Sequence, residues 1–293
     1  MNDLLTLIEA SVTAQVVLVT VLGLLIGSFL NVVILRYPIM LYRNWKSECE
    51  SMAEELPDHP ALKDLTQPYD LVTPASHCPK CQAPVKAWQN IPVFSYLLLR
   101  GKCSHCKTHI SIRYPVVELV TGLLSLVLVL QLGWGWPLAA MLVFTWMLVS
   151  MSAIDIDHQI LPDTMTLSLL WLGLLVNTQG MFTSLESAVL GAAAGYGVLW
   201  GFFHVFKLIT GKEGMGFGDF KLLAALGAWL GLTAIPLIIL LSSVVGAVVG
   251  IAGILILGRD RQLPIPFGPY LAAAGWIAAL WGDDIITWYL STL

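Results

Sequence analysis

Long apolar runs broken by short polar ones dominate this chain. Eight of them, near residues 12–35, 114–132, 137–154, 165–180, 188–206, 220–232, 236–257 and 266–282, read as membrane helices, the longer ones reaching the roughly 20 residues a helix needs to cross a bilayer. The stretch 220–257 is too long for one crossing. Gly231-Leu232-Thr233-Ala234-Ile235-Pro236 within it has the composition of a tight turn, so two helices are predicted there. The first run follows MNDLLTLIEA, an acidic start, and no small-residue cleavage site ends it, so it reads as a retained span rather than a signal peptide. Gly191-Ala192-Ala193-Ala194-Gly195 and the run from Gly246 to Gly250 allow helix backbones to approach closely. Trp134, Trp136 and Trp288 fall where interfacial anchors belong. The expected fold is an all-α polytopic integral membrane protein of about eight transmembrane helices.

Composition supports the lipid bilayer as the solvent. The chain is 57% hydrophobic and only 12% charged, with a mean hydropathy of +0.79; a soluble domain carries roughly 25% charge. No nucleic-acid partner is expected. The placement of the basic residues orients the chain. Ten of the fifteen lie in 36–113: Arg36, Arg43, Lys46, Lys63, Lys80, Lys86, Arg100, Lys102, Lys107 and Arg113. Lys207, Lys212, Lys221, Arg259 and Arg261 complete the set. With the amino terminus outside and the spans alternating, all fifteen fall in or beside 36–113, 155–164, 207–219 and 258–265, which the positive-inside rule makes cytoplasmic. The other side holds Asp3, Glu9, Glu186, Asp283 and Asp284 and no basic residue. The expected organisation is a first transmembrane helix over 1–35, a cytoplasmic insertion over 36–113 and a multi-helix membrane domain over 114–293.

The insertion carries the first candidate chemistry. Cys78-Pro79-Lys80-Cys81 and Cys103-Ser104-His105-Cys106 are two C-x2-C knuckles with 21 residues between them. Each knuckle offers two thiolates to one ion, and two knuckles complete a tetrahedron. A structural zinc site on Cys78, Cys81, Cys103 and Cys106 outweighs a pair of redox dithiols, because a reducing cytoplasm disfavours disulfides. Four thiolates leave no open position for catalysis. Cys49 reads as a free thiol, His77, His105 and His109 as surface residues, and Gly101 as a turn glycine. Residues 43–70, with Glu48, Glu50, Glu54, Glu55 and Asp58, read as a solvated helix and loop.

The second candidate site is acidic. Asp219 closes Gly216-Phe217-Gly218-Asp219 at the mouth of an apolar stretch, and Asp155 and Asp157 close another 64 and 62 residues earlier. Ionisable groups at membrane edges are functional candidates by default. The orientation derived from Lys and Arg puts Asp155 and Asp219 on one face. Two close carboxylates cannot both ionise easily, so one activates a water while its protonated partner hydrogen-bonds a carbonyl. Gly216 and Gly218 are expected to clear space for a substrate backbone. Asp157 and Asp163 read as solvated or capping groups, and Glu118 as a structural partner of Arg113.

Four stretches carry a family resemblance: GSFLNVVILRYP (27–38), RYPVVELVTG (113–122) behind the paired knuckles, AIDIDHQILPD (153–163) and EGMGFGDFKLLAALGAWLG (213–231). Together they resemble the bacterial type IV prepilin peptidases, membrane aspartic endopeptidases of the Gly-x-Gly-Asp type, in order and over nearly the whole chain. The resemblance implies that Asp155, seven residues before Pro162, and Asp219 are the catalytic aspartates, with Asp157 the fallback, and that the four cysteines match the family's zinc-type set. It implies cleavage, after a glycine, of the basic leader of prepilins and pseudopilins at the cytoplasmic face of the bacterial inner membrane. It also implies methylation of the new amino terminus from S-adenosylmethionine. No Gly-x-Gly-x-x-Gly follows a strand, and the residues of a methyl-donor site are not assigned. The rival reading is a transporter using Asp155 and Asp219 for protons or cations, although acids at span ends and the lack of a repeat argue against it. A non-catalytic assembly factor would leave the acidic pair unexplained.

Overall fold

A computed structural model describes residues 11–48, 59–212, 214–258 and 265–292. The readings placed on Asp3, Glu9, Cys49, Glu50, Glu54, Glu55, Asp58, Arg259 and Arg261 lie outside the described residues. Among those described, the chain is helical, and its only extended pairings are two isolated bridges, His77 with Pro84 and Lys102 with His109. A helix stands at each of the eight expected spans, and 220–257 resolves into two, parted at Gly231. Five helices are long and apolar enough to cross a membrane. The chain divides into two compact units, Met1–Trp146 and Met147–Leu293.

The first unit holds α1 (Val12–Glu48), α2 (Pro60–Lys63), α3 (Phe94–Leu98), α4 (Arg113–Leu132) and the first half of α5 (Trp136–His158). Helices α1 and α4 lie along each other through small residues. A Cβ on Gly27 would stand 2.7 Å from the Glu118 backbone, and one on Gly122 would stand 2.7 Å from the Leu24 side chain. Asn31 fastens the same seam by donating its amide to the Tyr114 carbonyl at 3.1 Å.

Helix α1 has 37 residues, on the order of 55 Å of helix against roughly 30 Å of hydrocarbon. It therefore continues through Pro38 beyond the span expected to end at 35. The extension has partners. Arg36 donates to the carbonyls of Asp70 and Pro74, Arg43 to those of Ala61, Leu65 and Gln67, and Lys46 to that of Leu62. The Tyr69 ring lies under both guanidinium groups, at 6.0 and 5.7 Å. These cations thus fasten the returning loop to the helix.

The second unit holds the rest of α5, then α6 (Asp163–Asn177), α7 (Leu185–Thr210), α8 (Phe217–Leu230), α9 (Ala234–Leu257) and α10 (Gly268–Ser291). Its centre is α8, which packs against α6, α7, α9 and α10. Every residue from Asp219 to Trp229 except Lys221 is buried. A helix apolar on all sides belongs inside a protein, and at 14 residues α8 is about 21 Å long, too short to cross alone.

The glycine run of α7 explains how close α7 comes. A Cβ on Gly191 would fall 2.6 Å from the Gly227 carbonyl, and one on Gly195 would fall 2.6 Å from the Leu223 carbonyl. The far end of α8 is locked by Asn177. Its amide donates to Ala228 and Trp229 carbonyls at 2.9 Å each, and its oxygen accepts from the amides of Phe182 and Thr183. Trp229 donates its indole N–H to the Leu169 carbonyl at 2.8 Å, its ring against Gly173.

Candidate active site and metal centre

Asp155 sits one turn from the end of α5, and Asp219 in the first turn of α8. Both are buried, at 5% and 7% exposure, and both belong to the second unit. The Asp155 Oδ2 atom accepts the backbone N–H of Gly268, the first residue of α10, at 3.0 Å. The Asp219 carboxylate turns back to the Gly216 amide at the start of its own helix. Each acid is therefore seated at a helix amino terminus, where unpaired N–H groups carry partial positive charge. The two carboxylates lie within electrostatic reach of each other. Asp219 Oδ1 is buried with no hydrogen-bond partner, unusual for a buried polar atom.

The neighbouring acids stand elsewhere. Asp157 is on the exposed side of α5. Asp163, exposed at the start of α6, takes Lys221 Nζ at 2.6 Å. Glu118 belongs to the first unit. Where the sequence suggests Arg113 as its partner, its carboxylate accepts the Val93 amide at 2.8 Å and engages Ser28.

One glycine role differs from expectation. A Cβ on Gly218 would collide with Leu161, 2.7 Å away, so this glycine serves packing between the two acidic motifs rather than substrate approach. The Cβ position of Gly216 is open, with Asp219 Oδ2 at 3.7 Å and the Gly218 nitrogen at 4.0 Å. Gly268 went unrecognised in the sequence. Its Cβ position lies 2.7 Å from Asp155 Oδ2 and 3.2 Å from Leu161. The signal was present in Pro266-Phe267-Gly268-Pro269, since proline in the first turn marks a helix start. Beside this corner, Met215, Ser243, Gly246, Ala247, Ile265, Phe267 and Tyr270 line a cavity of about 300 Å³.

The four cysteines converge within the first unit. Their sulfurs lie within 4.8 Å of one another, with Cys78 to Cys106 at 3.7 Å and Cys81 to Cys103 at 4.0 Å. A tetrahedron with metal–sulfur bonds of about 2.3 Å has edges of about 3.8 Å, so the set fits one ion. The knuckles are two copies of one turn. Cys78 N–H donates to Ala83 and Gln82 N–H to Cys78; likewise Cys103 to Thr108 and Lys107 to Cys103. Gln82 and Lys107 hold matching positive φ of 59° and 58°, and a bridge closes each copy. Amides of Cys81 and Lys80 lower the Cys78 thiol, and the Thr108 hydroxyl draws Cys106 down to about 6. Both effects favour the thiolates a metal needs, whereas burial and the three neighbouring cysteines push Cys81 up to about 11. Gly101, at φ +64°, turns the chain into the second copy, as expected.

Comparison with known proteins gives two family matches: the bacterial peptidase A24 N-terminal domain over residues 21–132, and the type IV leader peptidase family over 142–251. The chain is 55% identical to the prepilin leader peptidase/N-methyltransferase of Stutzerimonas stutzeri, over 94% of each chain. It is 54% identical to the protein of that name from Pseudomonas aeruginosa and 50% to that from Neisseria gonorrhoeae, each again over 94% of both chains. No solved structure is a significant match.

Proposed function

The chain belongs to the type IV leader peptidase family, and from that membership we propose that it removes the leader of type IV prepilins or pseudopilins and then methylates the new amino terminus. The observation that carries the peptidase reading is the pair Asp155 and Asp219: buried carboxylates from separate motifs, each at a helix amino terminus and each within electrostatic reach of the other. One carboxylate takes a proton from a water, whose oxygen adds to the scissile carbonyl carbon. The partner, protonated, hydrogen-bonds and then protonates the carbonyl oxygen. As the tetrahedral intermediate collapses, the C–N bond breaks, the leaving nitrogen takes the proton first drawn from water, and one hydroxyl of the intermediate returns its proton to the partner carboxylate as the new carboxyl group forms. No covalent bond to the protein forms.

The four cysteines would hold a zinc ion, which would stabilise a loop with little apolar core of its own. The methyl group would come from S-adenosylmethionine. The first span over 1–35, a zinc-bearing insertion over 36–113 and a peptidase portion over 114–293 would sit in the bacterial inner membrane. The amino terminus would be periplasmic, and the cysteines and both acids would face the cytoplasm, as the basic residues favour. The three relatives named above are peptidases by name, and the transporter reading is set aside.

The test is cleavage of a purified prepilin by the protein in detergent. Asp155→Asn and Asp219→Asn should each lose on the order of 10³ in rate while keeping the wild-type elution profile. Full activity in Asp219→Asn would reject the assignment.

A further inference from the structure

Helix α3 is inside out. Its polar residue Ser95 is buried at 8% exposure, while Phe94, Leu97 and Leu98 stand 57%, 67% and 59% exposed. The spacing i, i+3, i+4 sets those three on one face. Ile91, one turn earlier, and Ile112, just ahead of α4, add two more exposed apolar side chains. Exposed apolar side chains grouped on one face of a short helix are a contact surface in waiting.

The structure also says what meets it. Val93, the residue before α3, donates its N–H to Glu118 at 2.8 Å. Glu118 lies five residues into α4, about 7.5 Å along the helix from its start. Helix α4 is one of the five long and apolar enough to cross a membrane. Val93 holds φ +60°, a conformation that β-branched residues rarely adopt, so the loop is pinned there rather than resting there. The entry to α3 is thereby tied to the first two turns of a span. A bilayer that meets the foot of α4, where Val116, Leu119 and Leu123 are exposed, continues onto α3. Arg100 and Lys102 follow within a turn, both exposed, and suit anionic headgroups.

We propose that the Phe94–Leu97–Leu98 face of α3 is a membrane-surface anchor, lying in the headgroup layer beside α4 and holding the cysteine module against the lipid. The inference needs α4 to be a span; it does not need the peptidase reading.

The full-length protein, reconstituted in vesicles of phosphatidylethanolamine and phosphatidylglycerol, carries benzoylphenylalanine at one position at a time and is irradiated. The phospholipid adduct at Leu97 should lie within about twofold of that at Leu119 on α4 and about tenfold above that at Val72, an exposed apolar residue of the same loop. Leu98→Glu with Phe94→Glu should lower the Leu97 adduct to the Val72 level while leaving bound metal unchanged. A Leu97 adduct no higher than that at Val72 would overturn the anchor. So would a Leu97 crosslink that goes to added prepilin in place of lipid, which would make the face a substrate dock.

Discussion

The cysteine cluster is two copies of one local turn, whereas the aspartate pair is held by three segments that each contribute something different. Each knuckle is complete within eight residues, including its bridge and its positive-φ position. The acidic corner needs the end of α5, the start of α8 and the start of α10, with Leu161 wedged between Gly218 and Gly268. One site is half-exposed, with four sulfurs close enough to share an ion; the other is buried among helices. A metal cluster can be assembled from short-range rules. An acidic pair at a membrane edge requires the fold first.

That difference can be attacked from both ends. Cys78→Ser with Cys81→Ser removes half of one ligand set, so metal analysis of the purified protein should show complete loss of the ion. Prepilin cleavage should stay within about threefold of wild type, since each deleted group belongs to the local site. Unchanged metal content would reject the ligand set, and abolished cleavage with the helices intact would join the two sites that the comparison separates.

Gly268→Ala probes the other end. The added methyl would stand 2.7 Å from Asp155 Oδ2, and a misplacement near 1 Å costs on the order of 10² in rate. The expected result is a fall in kcat of that size with KM little changed. Wild-type kcat would show that the corner has slack that the glycine does not suggest.

The smallest effect belongs to Asp163→Ala. Its 2.6 Å contact with Lys221 joins the two acidic motifs, but Asp163 is 60% exposed. Exposed ion pairs contribute about 0–1 kcal/mol, so cleavage should fall by less than about fivefold, with a similar change in Lys221→Ala and no further loss in the double variant. A loss near that of Gly268→Ala would make this pair part of the corner's frame.

The same contrast governs what could be read from the chain. The eight helices and the two knuckles follow periodicity and spacing, which are local properties. Placing Asp155 and Asp219 on one side required only counting Lys and Arg. Pro269 marks the helix start at Gly268, but the pairing with Asp155 was beyond reach, because the two lie 113 residues apart and neither neighbourhood names the other. Leu161 was hidden for a different reason: it looks like any buried leucine, and only the two glycines against it reveal its place. Asn177 makes four hydrogen bonds to backbone groups of later segments, partners that its own sequence neighbourhood does not name. The continuation of α1 past residue 35 was obscured by Pro38 and by the density of charge beyond it, because the carbonyls that receive those cations arrive from a later segment.

Helix α8 has one more consequence. Its walls are α6, α7, α9 and α10, and almost none of its surface is left for acyl chains. Bilayers thicken, thin and change composition with temperature and growth, and helices that touch lipid tilt to follow. Asp219 rides on an element that is shielded from that adjustment. The carboxylate is in effect mounted on an inner bearing, so its geometry can stay constant while the outer helices accommodate the membrane.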